Sequence, residues 1–211
     1  MHKNTKRGII IAVFAFLAVL FVSTIGSSLT GFAVIGKKPT LSEYPYPFIK
    51  NSVCNGVAFV LTDRYDHATY RAALAIERSL KAETRNLIKQ TTCAKRYTRQ
   101  NIPDGEFNLI VIGNPCTNGM VADALKAKSC STESLGLKDG EALIQIINHR
   151  RTSTLVIAGD AEKAAKVLAD YRLYPLKGEK IIVSGTGNSL RLKYVKTESP
   201  ATGRSFVNRN Y

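Results

Sequence analysis

Between Gly8 and Ile35 the chain carries no charged residue; Lys3, Lys6 and Arg7 precede this stretch and Lys37 and Lys38 follow it. A bilayer core is spanned by about 20 apolar residues at a rise of 1.5 Å each. Residues 9–26 come close to that length alone, and residues 27–35 extend it without a charge. The apolar part of a cleavable secretory leader is shorter, about 7–15 residues; Gly26, Ser27 and Ser28 mark where cleavage would fall. We read residues 8–35 as a transmembrane anchor or uncleaved signal and residues 1–7 as a cytoplasmic basic segment, because basic flanks stay inside. Lys37 and Lys38, on the outer side, run against that rule. The expected location is the cell membrane, single-pass, with everything downstream extracytoplasmic.

Composition bounds the part of the chain beyond the anchor. The chain has 211 residues, and those after about residue 50 suffice for one domain with a real core. Net charge is +14; five basic residues and no acidic one lie in residues 1–38, which leaves +9 on the remainder. A basic balance of this size is one mark of nucleic-acid binding. Here the Lys and Arg are scattered, without interleaved aromatics or a nucleic-acid motif, and an exported domain seldom meets nucleic acid. The expected partners are the membrane through residues 8–35, and envelope polymers, anionic lipid or other surface proteins, with no nucleic acid.

Four cysteines, Cys54, Cys93, Cys116 and Cys130, all lie beyond the anchor. An even count in an exported domain points to disulfides. Of the three pairings, the spacing favours Cys116–Cys130 across one short helix, with Cys54–Cys93 as the second. No cysteine pair has the close spacing of a zinc site and no histidine lies nearby.

Strong punctuation divides the rest. Residues 36–50 hold three prolines and read as an extended linker. Apolar runs at 56–61, 108–113, 140–147, 154–159 and 180–183 read as buried strands. Asp66 and Asp160 are N-caps for helices over 67–82 and 161–173. In the first helix Ala68, Ala72, Ala75, Ile76 and Leu80 form the buried stripe, opposite Arg71, Arg78 and Lys81. In the second the stripe is Ala164, Ala165, Leu168 and Tyr171. A further helix carries Val121, Ala124 and Leu125, and residues 148–151 make a hairpin turn. The expected fold is α/β: one Rossmann-like three-layer domain over 51–195 with a mixed, mostly parallel sheet, an N-terminal transmembrane helix before it, and a mobile tail over 196–211.

Residues 108–125 (NLIVIGNPCTNGMVADAL) resemble the strand–GGPC-x-N–helix segment of the archaeal S-layer-like family, C-terminal region. Cys130 comes after that helix in the same order as in the family. So do the strand DGEALIQII (139–147), the segment LVIAGDAEKAAKVLADY (155–171) and the strand LKGEKIIVSGT (176–186). TGFAV (30–34) is similar to the region after the span in short membrane-anchored relatives. The resemblance covers residues 105–187. Gly113-Asn114-Pro115 replaces the double glycine, and Asp160-Ala161-Glu162 lacks the family's Asp-Thr pair. The β-rich domains of lattice proteins are absent. The resemblance implies a cell-envelope α/β module and not a lattice.

Chemical motifs are few. Gly185 and Gly187 form a G-x-G that comes after a strand and leads into strand-like sequence, whereas a dinucleotide fingerprint opens a helix. No Gly-x-Ser-x-Gly elbow or Ser/His/Asp order is present. The turn at Gly113, between strand and helix, is where an anion would bind, although Pro115 removes one donor. Asp63, Asp66, Asn114 and Asp160 form a candidate ligand edge at the strands' carboxyl ends; helix capping alone accounts for Asp66 and Asp160. We expect no catalytic residues, cofactor or metal. The expected function is a structural or interaction domain of the cell envelope, with an exported ligand-binding or sensory domain as the alternative.

Overall fold

The computed structural model describes residues 38–62, 66–84, 94–102, 106–187 and 189–196. The expected anchor (8–35), Asp63, Cys93 and residues 197–211 lie outside the described residues. No helix among the described residues is long and apolar enough to cross a membrane.

A small antiparallel hairpin comes first, β1 (Ile49–Lys50) and β2 (Val53–Cys54). Asn51 and Ser52 turn it with φ of 53° and 60°, the left-handed pair that a two-residue hairpin with matching twist requires. A seven-stranded sheet comes next. Its strands are β3 (Val57–Val60), β4 (Ala94–Tyr97), β5 (Asn108–Ile112), β6 (Ala142–Asn148), β7 (Ser153–Gly159), β8 (Lys180–Ser184) and β9 (Arg191–Val195). They lie in the order β4-β3-β5-β7-β6-β8-β9. Pairs β3–β4, β3–β5 and β5–β7 are parallel; β6–β7, β6–β8 and β8–β9 are antiparallel. The sheet is therefore mixed in equal parts, not mostly parallel as expected. The excess of antiparallel pairing over the expected hairpin comes from β8, which runs opposite to β6, and from β9, which runs opposite to β8. His149 to Thr152 close a tight turn between β6 and β7, with His149 N donating to Thr152 O at 2.8 Å. Such a turn leaves no room for the crossover a parallel pair needs.

Helices α1 (His67–Glu83) and α3 (Ala161–Ala169) cover one face, and α2 (Gly119–Leu125) lies on the other. The alternation of strand side chains divides the core. Phe59, Ile110, Ile112, Ile144 and Ile157 meet Ile76 and Leu80 of α1 and Ala164 and Leu168 of α3. Val60, Val111, Val156 and Ala158 point the other way, to Val121 of α2 and to Leu137. The stripe of α1 is Thr69, Ala72, Ala73, Ile76, Glu77 and Leu80, rotated from the expected one, with Ala68 and Ala75 only half-buried. Helix α3 ends at Ala169, so Tyr171 lies beyond it and is half-buried.

Glu77, with its side chain 8% exposed, sits on the buried stripe of α1 because it is paired. Arg96 of β4 forms an ion pair with it, and Lys81 approaches to 2.9 Å. The Arg96 guanidinium also lies 5.4 Å from the Tyr70 ring centre. This cluster ties the edge strand β4 to α1. Lys81 is thus engaged in the fold, unlike Arg78, which is exposed on the same helix.

Residues 39–50 depart most from expectation. They are not an extended linker but part of the domain. Leu41, Tyr44, Phe48 and Ile49 are buried in the core on the α1–α3 face. A 3₁₀ turn over Leu41–Glu43 is boxed at its start, with Thr40 N donating to Glu43 Oε2 at 3.1 Å. Tyr44–Pro45 and Tyr46–Pro47 are cis. The Tyr44 ring meets Tyr171 edge-on at 5.3 Å, and its buried hydroxyl has no hydrogen-bond partner among the described residues. Pro39 O accepts from Asn148 Nδ2 at 2.8 Å, and Leu41 N donates to Gly178 O at 2.7 Å. The prolines shape turns here because the interleaved large apolar side chains have a core to enter.

Phe48 is fully buried, and a buried Phe cut to Ala costs about 3–5 kcal/mol. Phe48→Ala should therefore lower the urea midpoint of the whole domain substantially. An unchanged midpoint would mean that residues 39–50 are a tether outside the folding unit.

Candidate functional site at the carboxyl edge of the sheet

The carboxyl ends of β3, β5 and β7 bring three sets of residues to one edge: 61–62 with 66, 113–118 and 159–160. Asp66, Asn114 and Asp160 all lie there; Asp63 lies outside the described residues. Each of the three described residues has a structural role. Asp66 caps α1, accepting from Ala68 N at 3.1 Å and Thr69 N at 3.2 Å. The Thr69 hydroxyl donates to it as well, and this bond first holds the Asp66 carboxyl below its usual range; burial opposes it, and the two backbone donors and the nearby His67 add to the lowering. A lowered folded-state pKa means that this stabilisation holds above the unfolded value, near 4, and is lost in acid. Asn114 Oδ1 accepts from Gly159 N at 3.0 Å, joining the ends of β5 and β7. Asp160 caps α3 through Lys163 N at 3.1 Å, and its other oxygen faces Lys163 Nζ at 3.2 Å.

Asn118 is the residue that sequence reasoning missed. It is 1% exposed and makes three bonds. Its Nδ2 donates to Ile112 O at 3.0 Å and Val60 O at 3.3 Å, while Oδ1 accepts from Met120 N at 3.1 Å. One side chain thus closes the ends of β3 and β5 and caps α2. The available signal was an Asn just before a helical run, obscured by the neighbouring Pro115 and Thr117. Gly113 makes this approach possible. At its φ of 145°, a Cβ would come within 2.8 Å of Thr62 Cγ2 and 3.1 Å of Asn118 Cβ.

Cys116 and Cys130 form a disulfide with Cα atoms 4.5 Å apart, within the range such a bond needs. It joins the β5–α2 loop to the segment beyond α2. Cys54 is disulfide-bonded too, and its expected partner Cys93 lies outside the described residues.

Of the other candidates, His149 is separated from this edge. His149 sits in the β6–β7 turn, at the opposite end of the sheet. Its Nε2 lies 3.0 Å from Thr154 Oγ1, and burial lowers its pKa, which favours the neutral ring. The seven residues of β7 put about 20 Å between it and Asp160, too far for proton transfer between them. The G-x-G of Gly185 and Gly187 lies in the β8–β9 connection, at the same end of the sheet as Gly159, and leads into a strand and not a helix; Gly187 O accepts from Lys166 Nζ of α3 at 2.8 Å. No group of three or more His, Cys, Asp or Glu suited to a metal occurs among the described residues. The edge has the position of an α/β ligand site, but its described polar side chains are engaged in closing loops and capping helices.

No family profile matches the chain, and no curated protein matches it in sequence.

If Asn118 closes this edge, Asn118→Ala should cost about 2–3 kcal/mol, since two buried carbonyls and a helix N–H lose their partner. Asp66→Asn, an exchange of one good cap for another, should cost less than about 1 kcal/mol at neutral pH. Urea denaturation of the two variants checks the order, and equal costs would contradict it.

Proposed function

We propose that this chain is a membrane-anchored, extracytoplasmic structural or interaction domain of the cell envelope, S-layer-like in its Rossmann-like three-layer plan and non-catalytic. The observation that carries this reading is the Cys116–Cys130 bond, with Cys54 bonded as well. Structural disulfides persist in oxidising compartments, and residues 8–35 supply the means of being held there. The ordered motifs of residues 105–187 add the envelope assignment. The engagement of Asp66, Asn114, Asn118 and Asp160 in the scaffold favours an interaction role over ligand binding at the carboxyl edge. Partners then engage the surface, where basic residues exceed acidic ones.

Non-reducing peptide mapping of the protein isolated from native membranes tests the compartment. Peptides holding Cys116 and Cys130 should remain joined until reductant is added. Freely alkylated thiols at both positions would place the domain in a reducing compartment and overturn the proposal.

A further inference from the structure

Charge is distributed differently at the two edges of the sheet. At the carboxyl edge three cations have acidic partners, Arg99 with Asp123 at 3.0 Å, Lys163 with Asp160 at 3.2 Å, and Arg71 with Glu162 at 2.6 Å, while the exposed Lys138 and Arg191 lie there beside Asp139 and Glu141. The amino edge holds Lys38, Arg150, Arg151, Lys177 and Lys196, all exposed. Of these only Arg151 forms an ion pair among the described residues, with Glu106 at 2.9 Å. Glu179 and Glu43, whose carboxylate accepts from Thr40 N at 3.1 Å, are further acidic groups nearby.

These cations are brought together by the fold. Register sets the β6–β7 turn, with Arg150 and Arg151, beside the start of β8, which Lys177 precedes. The pairing of Val195 with Lys180 brings Lys196 to the same end. The bonds of Pro39 O to Asn148 and of Leu41 N to Gly178 fix the start of the domain between the turn and Lys177. Lys38 immediately precedes Pro39 in the chain.

We infer that this amino edge is a docking surface for anionic lipid headgroups. The inference rests on the reading of residues 8–35 as a membrane anchor. From Ile35, the last residue of that stretch, to Pro39 the chain reaches at most about 14 Å. Fixed at its amino edge and tethered that closely, the domain keeps its unpaired cations within about one or two Debye lengths of the headgroups at physiological salt. Each Lys or Arg at that depth is attracted by an anionic surface. A free envelope polymer has no such preference for the edge where the chain begins.

The test uses the full chain reconstituted in vesicles of phosphatidylcholine, alone or with phosphatidylglycerol, each containing a nitroxide-headgroup lipid as quencher. A fluorophore is placed at Thr152→Cys on the amino edge or at Asp139→Cys on the carboxyl edge, and coupled without reductant so that the disulfides stay closed. Quenching at position 152 should rise about threefold when phosphatidylglycerol is present, and return to the neutral level in high salt or with Arg150→Glu and Lys177→Glu. Position 139 should stay weakly quenched in both vesicles. Both reversals are on exposed turns, and an unchanged melting curve confirms that they leave the fold intact. Equal quenching at the two positions, or no dependence on lipid charge, overturns the inference. So does a response at position 152 to soluble polyanion and none to phosphatidylglycerol. An alkaline wash separates this outcome from the anchor reading. Release from neutral vesicles would sink the anchor, whereas retention without charge-dependent quenching would sink only the docking surface.

Discussion

Two hydrogen bonds, Asn148 Nδ2 to Pro39 O and Leu41 N to Gly178 O, fix where this domain begins. They hold the chain to the amino edge of the sheet just before it crosses the α1–α3 face. Leu41, Tyr44, Phe48 and Ile49 can then fill that face, each fully buried large side chain contributing about 1.5–3 kcal/mol. Without this segment, parts of α1 and α3 would present apolar surface to water. The same bonds leave only residues 36–38 between the apolar amino-terminal stretch and the folded unit.

The two edges of the sheet are organised differently. At the carboxyl edge, Asn114 and Asn118 join strand termini and Asp66 and Asp160 cap helices, while the Cys116–Cys130 bond secures the loop beside them. Polar groups committed to backbone partners have little left for a ligand. At the amino edge the polar closure is done by Asn108 and Asn148. Asn108 accepts from Ser153 N at 3.0 Å and donates to Asn55 O at 2.7 Å. The cations there are left out of that network. The proposed interaction role and the inferred lipid-facing edge both rest on this division.

Much of the sheet was legible because its central strands are buried on both faces and read as unbroken apolar runs. β3, β5, β6, β7 and β8 fall within two residues of the runs that marked them. The caps at Asp66 and Asp160 were legible for a similarly local reason: one side chain satisfies orphan N–H groups next to it in sequence. β4 was not legible. Its sequence, AKRY, is basic, as suits an edge strand, and what makes it a strand is its pairing with β3 and the tie from Arg96 to Glu77. The hairpin of β6 and β7 was legible in the polar turn at 148–151, but the antiparallel placement of β8 beside β6 and of β9 beside β8 was missed, because which strand lies next to which is set by the packed sheet and not by the apolar runs themselves. Asn118 and the segment 39–50 escaped for one physical cause. Their roles depend on contacts far away in sequence, Val60 for Asn118 and Gly178 for Leu41, which no local pattern encodes. Of the candidate ligand edge, the placement of Asp66, Asn114 and Asp160 was legible, but their engagement in scaffold bonds was visible only in three dimensions.

The central claim is that the folded unit starts at Pro39 and not after residue 50. Limited proteolysis followed by intact mass and amino-terminal sequencing of the resistant core tests it most directly. The account predicts a core beginning at or just before residue 39, because Leu41, Tyr44 and Phe48 shield the backbone around them. A stable core beginning near residue 51, with the upstream segment removed and the melting temperature unchanged, would contradict it.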